Sequence, residues 1–160
     1  MEAVIFCGIQ AAGKTTFYDQ RLAATHARIS LDLLRTRARE KQLLDECLRS
    51  GRSFVIDNTS VKRADRAPYI AAARAKGYRV VGYYFATEPR AALARNRLRS
   101  GKAAVPAPAL FAAQKRLEVP TLDEGFDELF RVEIAAPGAF TVMPMIMSAL
   151  SSNRANDTKS

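Results

Sequence analysis

The chain of 160 residues predicts an α/β fold, a mainly parallel sheet with helices on both faces and an arginine-bearing helical lid. Three observations carry this reading. Residues Gly8–Thr15 read Gly-Ile-Gln-Ala-Ala-Gly-Lys-Thr, a complete G-x-x-x-x-G-K-[ST] phosphate loop, which places the fold among P-loop NTPases. Apolar runs of strand length alternate with longer helical patterns as far as Ile134. Between Glu88 and Glu118 every charged residue is basic, among them Arg95, Arg97 and Arg99 on one helical stretch.

The elements follow in order. Ala3–Cys7 is a short apolar run ahead of the loop, and Thr15–Ala24 a polar/apolar stretch behind it, the strand–loop–helix context that the motif requires. Ala27–Ile29 reads as a short second strand and Leu33–Ser50 as a long helix closed by Gly51. Ser53–Ile56 is the third strand. Lys62–Lys76 is helical and ends at Gly77, but Pro68 is expected to interrupt it and start a fresh helical segment. Arg79–Phe85 is a strand, Pro89–Ser100 and Ala107–Leu117 are helices, and Leu129–Ile134 is the last strand. Residues 1–136 are expected to form the P-loop domain. Ala135–Gly138 reads as a boundary, and residues 137–160 as a C-terminal tail ending in the polar stretch Ser151–Ser160.

Composition narrows the function classes. Hydrophobic residues make up 48% of the chain, enough for one domain with a proper core. The two cysteines, Cys7 and Cys47, read as reduced thiols of a cytoplasmic protein. A single histidine, His26, excludes a multi-histidine metal site. The apolar stretch Phe140–Leu150 contains Pro144 and is too short to span a bilayer, so no membrane partner is expected. A net charge of +9, concentrated in the acid-free segment, favours polyanionic partners: ATP accounts for part of it, and a nucleic acid would account for more.

The loop residues Gly8, Ile9, Gln10, Ala11, Ala12, Gly13, Lys14, Thr15 and Thr16 are the expected ATP contacts. Their backbone N–H groups and the following helix N-terminus cradle phosphates; Lys14 reaches the β/γ-phosphates and the Thr15 hydroxyl faces Mg²⁺. Three clusters bear on the reaction. Ser30–Arg35 (SLDLLR) follows the second strand at the edge where a parallel sheet binds ligands. Asp32 and Arg35, three apart, share a face on one helical turn; they can serve an acceptor hydroxyl and an acceptor phosphate, or simply form a helix-end Asp beside an exposed Arg. Asp57 ends the apolar run Phe54–Ile56 in Walker-B fashion; it can assist Mg²⁺, orient Arg35 or Thr15, or cap the next helix. Arg95 and Arg99, four apart, can both face the nucleotide, or lie on an ordinary amphipathic helix, with Gly101–Pro106 as the hinge-like loop of a lid. An N-K-x-D segment is missing, and no obvious glutamine stands after Asp57 to orient a water, so transfer to a hydroxyl is favoured over a GTPase switch.

From the phosphate loop to about Ile134 the chain resembles the polynucleotide 5′-hydroxyl kinase family. The matching segments are GIQAAGKTTF at Gly8–Phe17, SLDLLR at Ser30–Arg35, VIDNT at Val55–Thr59, DRAPYIAAARAKG at Asp65–Gly77, ARNRLRSGKAAVP at Ala94–Pro106 and LEVPTLDEGFDELF at Leu117–Phe130. The resemblance implies that Asp32 is the general base at the 5′-hydroxyl and that Arg35 holds the acceptor nucleotide's phosphate. It implies catalytic roles for Lys14 and Arg99 and ATP contacts for Arg95 and Arg99. It also places Asp57 near the acceptor and the Thr15 hydroxyl on the Mg²⁺ side. Ser30 stands where that family commonly has Asn, Pro68 is a second departure, and no D-x-D-x-T phosphatase motif accompanies the kinase segments. The expected activity is ATP-dependent phosphorylation of a hydroxyl, with a nucleic-acid 5′ end as the first acceptor. Small-molecule kinases, of the zeta-toxin or antibiotic-kinase kind, share a similar loop and are the alternative, followed by a non-catalytic ATP-binding module. A small-molecule kinase requires a compact acceptor pocket.

Overall fold

The computed structural model describes residues 1–98 and 105–145. Six strands form one sheet: β1 Glu2–Cys7, β2 Ala27–Ile29, β3 Phe54–Ile56, β4 Arg79–Phe85, β5 Glu128–Ala136 and β6 Ala139–Pro144. Their order is β2-β3-β1-β4-β5-β6, and every pair is parallel except β5–β6. Helices α1 (Lys14–Arg21), α2 (Leu31–Leu34), α3 (Arg37–Ser50), α4 (Arg63–Ala75), α5 (Pro89–Arg97) and α6 (Ala107–Arg116) lie among the connections. This is the expected P-loop fold.

Strand alternation sorts side chains onto two faces. Ala3, Ile5 and Cys7 of β1 join Ile29, Phe54 and Ile56 in a core covered by Cys47 of α3 and Ile70 and Ala73 of α4. Val4 and Phe6 join Val55, Val81 and Phe85 in a second core under Phe17 of α1, Ala92 of α5 and Ala113 of α6. Helices therefore cover both faces. β1 sits between β3 and β4 and is buried on both sides from Ala3 to Cys7, which is why it reads as a continuous apolar run.

Three local features differ from the sequence reading. The helix expected over Leu33–Ser50 is two pieces. Arg35 adopts a left-handed conformation (φ 70°) after the four-residue α2, and Thr36 starts α3 by accepting a hydrogen bond from the Arg39 N–H at 3.2 Å. Pro68 does not divide Lys62–Lys76: α4 runs through it, because the ring lies on the exposed face, where solvent can take the carbonyl that loses its donor. The expected boundary at Ala135–Gly138 is a turn, with Gly138 at φ 72°, that returns the chain as β6 against β5; the sheet therefore extends to Pro144. Residues 146–160, most of the expected tail, lie outside the described residues. Among the described residues no helix is long and apolar enough to cross a membrane. Cys7 and Cys47 are both unpaired and buried, and burial pushes the Cys7 thiol up to about 12.

Behind β3, the fully buried Arg66 of α4 holds Glu124 at 2.7 and 3.1 Å and donates to the Ser60 carbonyl at 2.9 Å. It fixes the loop that leaves β3. Arg66→Ala strands a buried carboxylate and should lower unfolding free energy by about 3–5 kcal/mol in urea titrations. The double variant Arg66→Met/Glu124→Leu, which removes both charges, should lose distinctly less.

Candidate phosphate-transfer site

The phosphate loop crosses from β1 to α1 at the C-terminal edge of the sheet. Gly8 packs so closely that an added Cβ would stand 3.0 Å from Phe85 Cβ and 3.1 Å from its carbonyl oxygen. Gly13 caps α1 in a left-handed conformation (φ 91°), and Ala11 also has positive φ (60°). The turn thus presents the first N–H groups of α1 outward as an anion cradle. Lys14 bends across it: its Nζ donates to the Gly8 carbonyl at 2.9 Å and the Asn58 carbonyl at 3.4 Å. Thr15 and Thr16 are exposed, whereas Ile9 and Ala12 are buried beneath the loop. Gln10 carries the one buried side-chain acceptor, Oε1, that lacks a hydrogen-bond partner among the described residues.

Asp57 and Asn58 leave β3 on opposite sides of the sheet. Asp57 turns toward α1, and there it meets Arg28 rather than Arg35. Two guanidinium nitrogens of Arg28 lie 2.7 Å from Asp57 Oδ2, and one donates to Thr15 Oγ1 at 3.0 Å. Arg28 rests over the Tyr18 ring at 5.5 Å. Asp57 thus reaches Thr15 through an arginine that no sequence motif marks. It lies in the middle of β2, between Ala27 and Ile29, whose side chains enter the opposite core; the strand's period of two, applied to β2, is the signal that could have found it. A divalent cation matches this donor set: the Thr15 hydroxyl and Asp57 carboxylate are hard oxygens of the kind that Mg²⁺ takes together with phosphates. No cluster of three His, Cys, Asp or Glu among the described residues could hold an ion by itself.

Asn58 turns the other way and joins three elements. Its Oδ1 accepts from the Leu31 N–H at 3.0 Å, which caps α2 in place of the Ser30 side chain. Its Nδ2 donates to Glu40 Oε2 at 3.1 Å. Tyr69 of α4 donates to Glu40 Oε1 at 2.6 Å, and Arg37 lies 3.4 Å from the same oxygen. Beside this network opens a hollow of about 370 Å³, lined by Leu31, Arg37, Asn58, Lys62, Tyr69 and Arg116 among others. From α2 only Leu31 lines it, not Asp32 or Arg35, and the left-handed turn at Arg35 removes these two from a shared helical face, correcting the spacing argument. Both are exposed, and their side chains have no hydrogen bond or ion pair among the described residues.

On the other flank, Arg95 of α5 does reach the phosphate loop. Its Nε donates to the Ala11 carbonyl at 2.7 Å and another guanidinium nitrogen to Thr87 Oγ1 at 2.6 Å. Burial lowers its pKa from the usual arginine value, and a guanidinium still stays charged. Asn96 bonds both the N–H and the carbonyl of Val105, tying α5 to the start of α6. Arg99 and residues 101–104 of the expected hinge loop lie outside the described residues. Sequence reasoning did not single out Arg28, Glu40, Asn58 or Tyr69.

A phosphate cradle at the C-terminal edge of a 2-3-1-4-5 parallel sheet, with a Walker-B-like carboxylate on the adjacent strand, defines a P-loop kinase-like domain. Residues 4–120 match the family described as AAA domain, and the chain belongs to that family. Among solved structures it is similar to a gluconokinase from Sinorhizobium meliloti (16% identity, TM-score 0.61, 99% of this chain and 98% of the other). A sugar kinase from a Janibacter species is similar at 20% identity and TM-score 0.61, over 86% of this chain and 88% of the other. Kti12 from Chaetomium thermophilum, in complex with ADP-AlF3, is similar at 15% identity and TM-score 0.59, over 83% and 89%. At these identities the likeness concerns the fold, and the fold implies a nucleoside triphosphate at the loop.

Burial, and next the hydrogen bond to Glu40, push the Tyr69 phenol up to about 12 from a usual 10.0. The folded chain keeps a proton that the unfolded chain releases near 10, so this stabilisation is complete at neutral pH and is lost as pH rises toward 12. Urea midpoints should fall over that interval, and Tyr69→Phe should flatten the fall.

Proposed function

We propose that the chain transfers the γ-phosphoryl group of ATP to a hydroxyl of a small, anionic acceptor held in the hollow beside Asn58. The observation that carries this reading is the hollow itself. Its volume of about 370 Å³ lies in the range of small-ligand sites, and it shares Asn58 with the phosphate-loop lysine. Its cations, Arg37, Lys62 and Arg116, outnumber Asp65 on its lining, and Arg37 already faces the buried Glu40. Such a rim suits a carboxylate or phosphate on the acceptor. Likeness to a gluconokinase and a sugar kinase agrees with a small hydroxylated acceptor.

In this reading ATP lies in the loop with Lys14 exchanging its two carbonyl partners for phosphate oxygens. Arg95 supports the loop at Ala11, and Arg99 contacts phosphate from the lid. Mg²⁺, held by the Thr15 hydroxyl and served by Asp57, would supply charge neutralisation on the phosphates. Asp32 accepts a hydrogen bond from the acceptor hydroxyl and aligns it for in-line transfer; Arg35, at the end of α2, binds acceptor charge. Positioning and charge stabilisation do most of the work in such transfers.

A second reading, phosphorylation of a nucleic-acid 5′-hydroxyl, draws on the acid-free basic segment between Glu88 and Glu118. Label transfer from γ-labelled ATP separates the two. A panel of hydroxy acids, sugar phosphates and neutral polyols should contain a labelled product, and 5′-hydroxyl DNA and RNA oligonucleotides should not. Labelled oligonucleotides with an unlabelled panel would establish the second reading instead. Asp32→Asn should cut turnover about 10²–10⁴-fold while the dissociation constant for ATP stays unchanged; full turnover in that variant would remove Asp32 from the reaction.

A further inference from the structure

Arg28 stands where the nucleotide's metal-side groups converge. Two of its nitrogens sit 2.7 Å from Asp57 Oδ2, and one reaches Thr15 Oγ1 at 3.0 Å. The pair is well sheltered, with the Asp57 side chain 5% and the Arg28 side chain 21% exposed. The Tyr18 ring supports the guanidinium from one side. Backbone placement leaves it little choice, since Ala27 and Ile29 commit β2 to the opposite core and turn Arg28 toward α1.

A guanidinium cannot shed its charge at any pH the fold tolerates. The Thr15 hydroxyl and the Asp57 carboxylate, the two side chains suited to serve a divalent cation beside bound phosphates, are thus already bridged by a permanent cation of the chain itself. We propose that Arg28 is a resident cation on the metal side of the nucleotide site. It supplies part of the positive charge that Mg²⁺ would supply to the phosphates, and it competes with Mg²⁺ for Thr15 and Asp57. This rests on the reading that the loop binds ATP. Two effects follow, and both act in the same direction. ATP bound without metal is held more tightly than it would be with a neutral residue at position 28. Metal adds less to that binding, because it must first part Arg28 from Asp57 and Thr15. ATP binding by this chain therefore depends only weakly on Mg²⁺, and Arg28 is the reason.

The test is equilibrium titration of the full chain with a fluorescent ATP analogue, once in EDTA and once in millimolar Mg²⁺. The quantity of interest is the ratio of the two dissociation constants. In the native chain metal should tighten binding by no more than about tenfold, and in Arg28→Gln the ratio should grow at least about tenfold further, mainly through weaker binding in EDTA. Arg28→Lys, which keeps the charge but not the fork, should fall between them. Thermal melting establishes that the variants are folded. Equal ratios in the native chain and Arg28→Gln overturn the proposal and leave nucleotide binding standing. A native chain that binds the analogue more than about a hundredfold tighter with metal overturns it without recourse to any variant. If the native chain binds the analogue in neither condition, the nucleotide reading falls and this proposal with it.

Discussion

The parallel pairing of β1 with β3 is the constraint from which the site follows. Ala3, Val4 and Ile5 lie level with Phe54, Val55 and Ile56, and the register continues past the strands when the Gly8 N–H donates to the Thr59 carbonyl at 3.0 Å. The phosphate loop and the 57–61 loop must then leave the sheet side by side. That adjacency lets one lysine ammonium take carbonyls from both, Gly8 from the first loop and Asn58 from the second. A slip of one residue would exchange Asp57 and Asn58 between the two faces, and every side-chain contact of the site would be lost with it.

Alternation across β3 divides the labour. Asp57, on the α1 side, is compensated by Arg28. Asn58, on the α3 and α4 side, connects to Glu40, which Tyr69 and Arg37 also engage. Both buried carboxylates are thus occupied within the chain, as buried charges require. Asp32 differs: it is exposed and has no partner among the described residues. Of Asp32, Glu40 and Asp57, Asp32 is the one whose lone pairs stay available to something outside the chain. The neutral Tyr69, with its proton held firmly by burial and by Glu40, contributes a fixed donor rather than a titrating group.

Much of this architecture was legible because its signals are local. Gly8–Thr15 must be a phosphate loop wherever strand and helix flank it, and the apolar runs Ala3–Cys7, Phe54–Ile56 and Arg79–Phe85 identify strands buried on both faces. Arg95 was found from helical spacing and does reach the loop. What sequence could not supply depends on pairing between distant segments. Arg28 acquires meaning only when β2 is placed beside β3 and its middle residue is turned toward α1. Asn58, Glu40 and Tyr69 lie far apart in the chain and meet only after α3 and α4 pack on one face. Helix breaks were the other weakness. Nothing in the Leu33–Ser50 pattern outweighs helical periodicity at Arg35, yet Thr36 offers a better start to α3, and the left-handed residue before it separates Asp32 from the face assigned to Arg35. β6 was missed because its burial pattern is half exposed throughout, as befits an edge strand paired on one side.

The two ends of the site are built from different material, and this decides how far family membership reaches. The nucleotide end consists of backbone turns and the first residues of one helix, dictated by the loop motif and by β1. The proposed acceptor end, the hollow, is assembled from side chains on α3, α4 and α6, Arg37, Tyr69 and Arg116 among them, around the 57–61 loop. Helix side chains facing solvent can change without disturbing either core, so a P-loop sheet accepts many acceptor sites. Membership of the AAA domain family therefore speaks for the triphosphate and leaves the acceptor to those helices. In this chain they line a half-open hollow of about 370 Å³ with Arg37, Lys62 and Arg116 among its residues. A polymer end would have to enter that hollow terminus first, with its remaining phosphates left outside on the basic flank of α5 and α6; a free hydroxy acid or sugar phosphate would be held whole. A ligand held whole gains more from the same few polar groups, because fewer of its own are left unpaired at the mouth, and that physical ground is what the proposed small acceptor rests on.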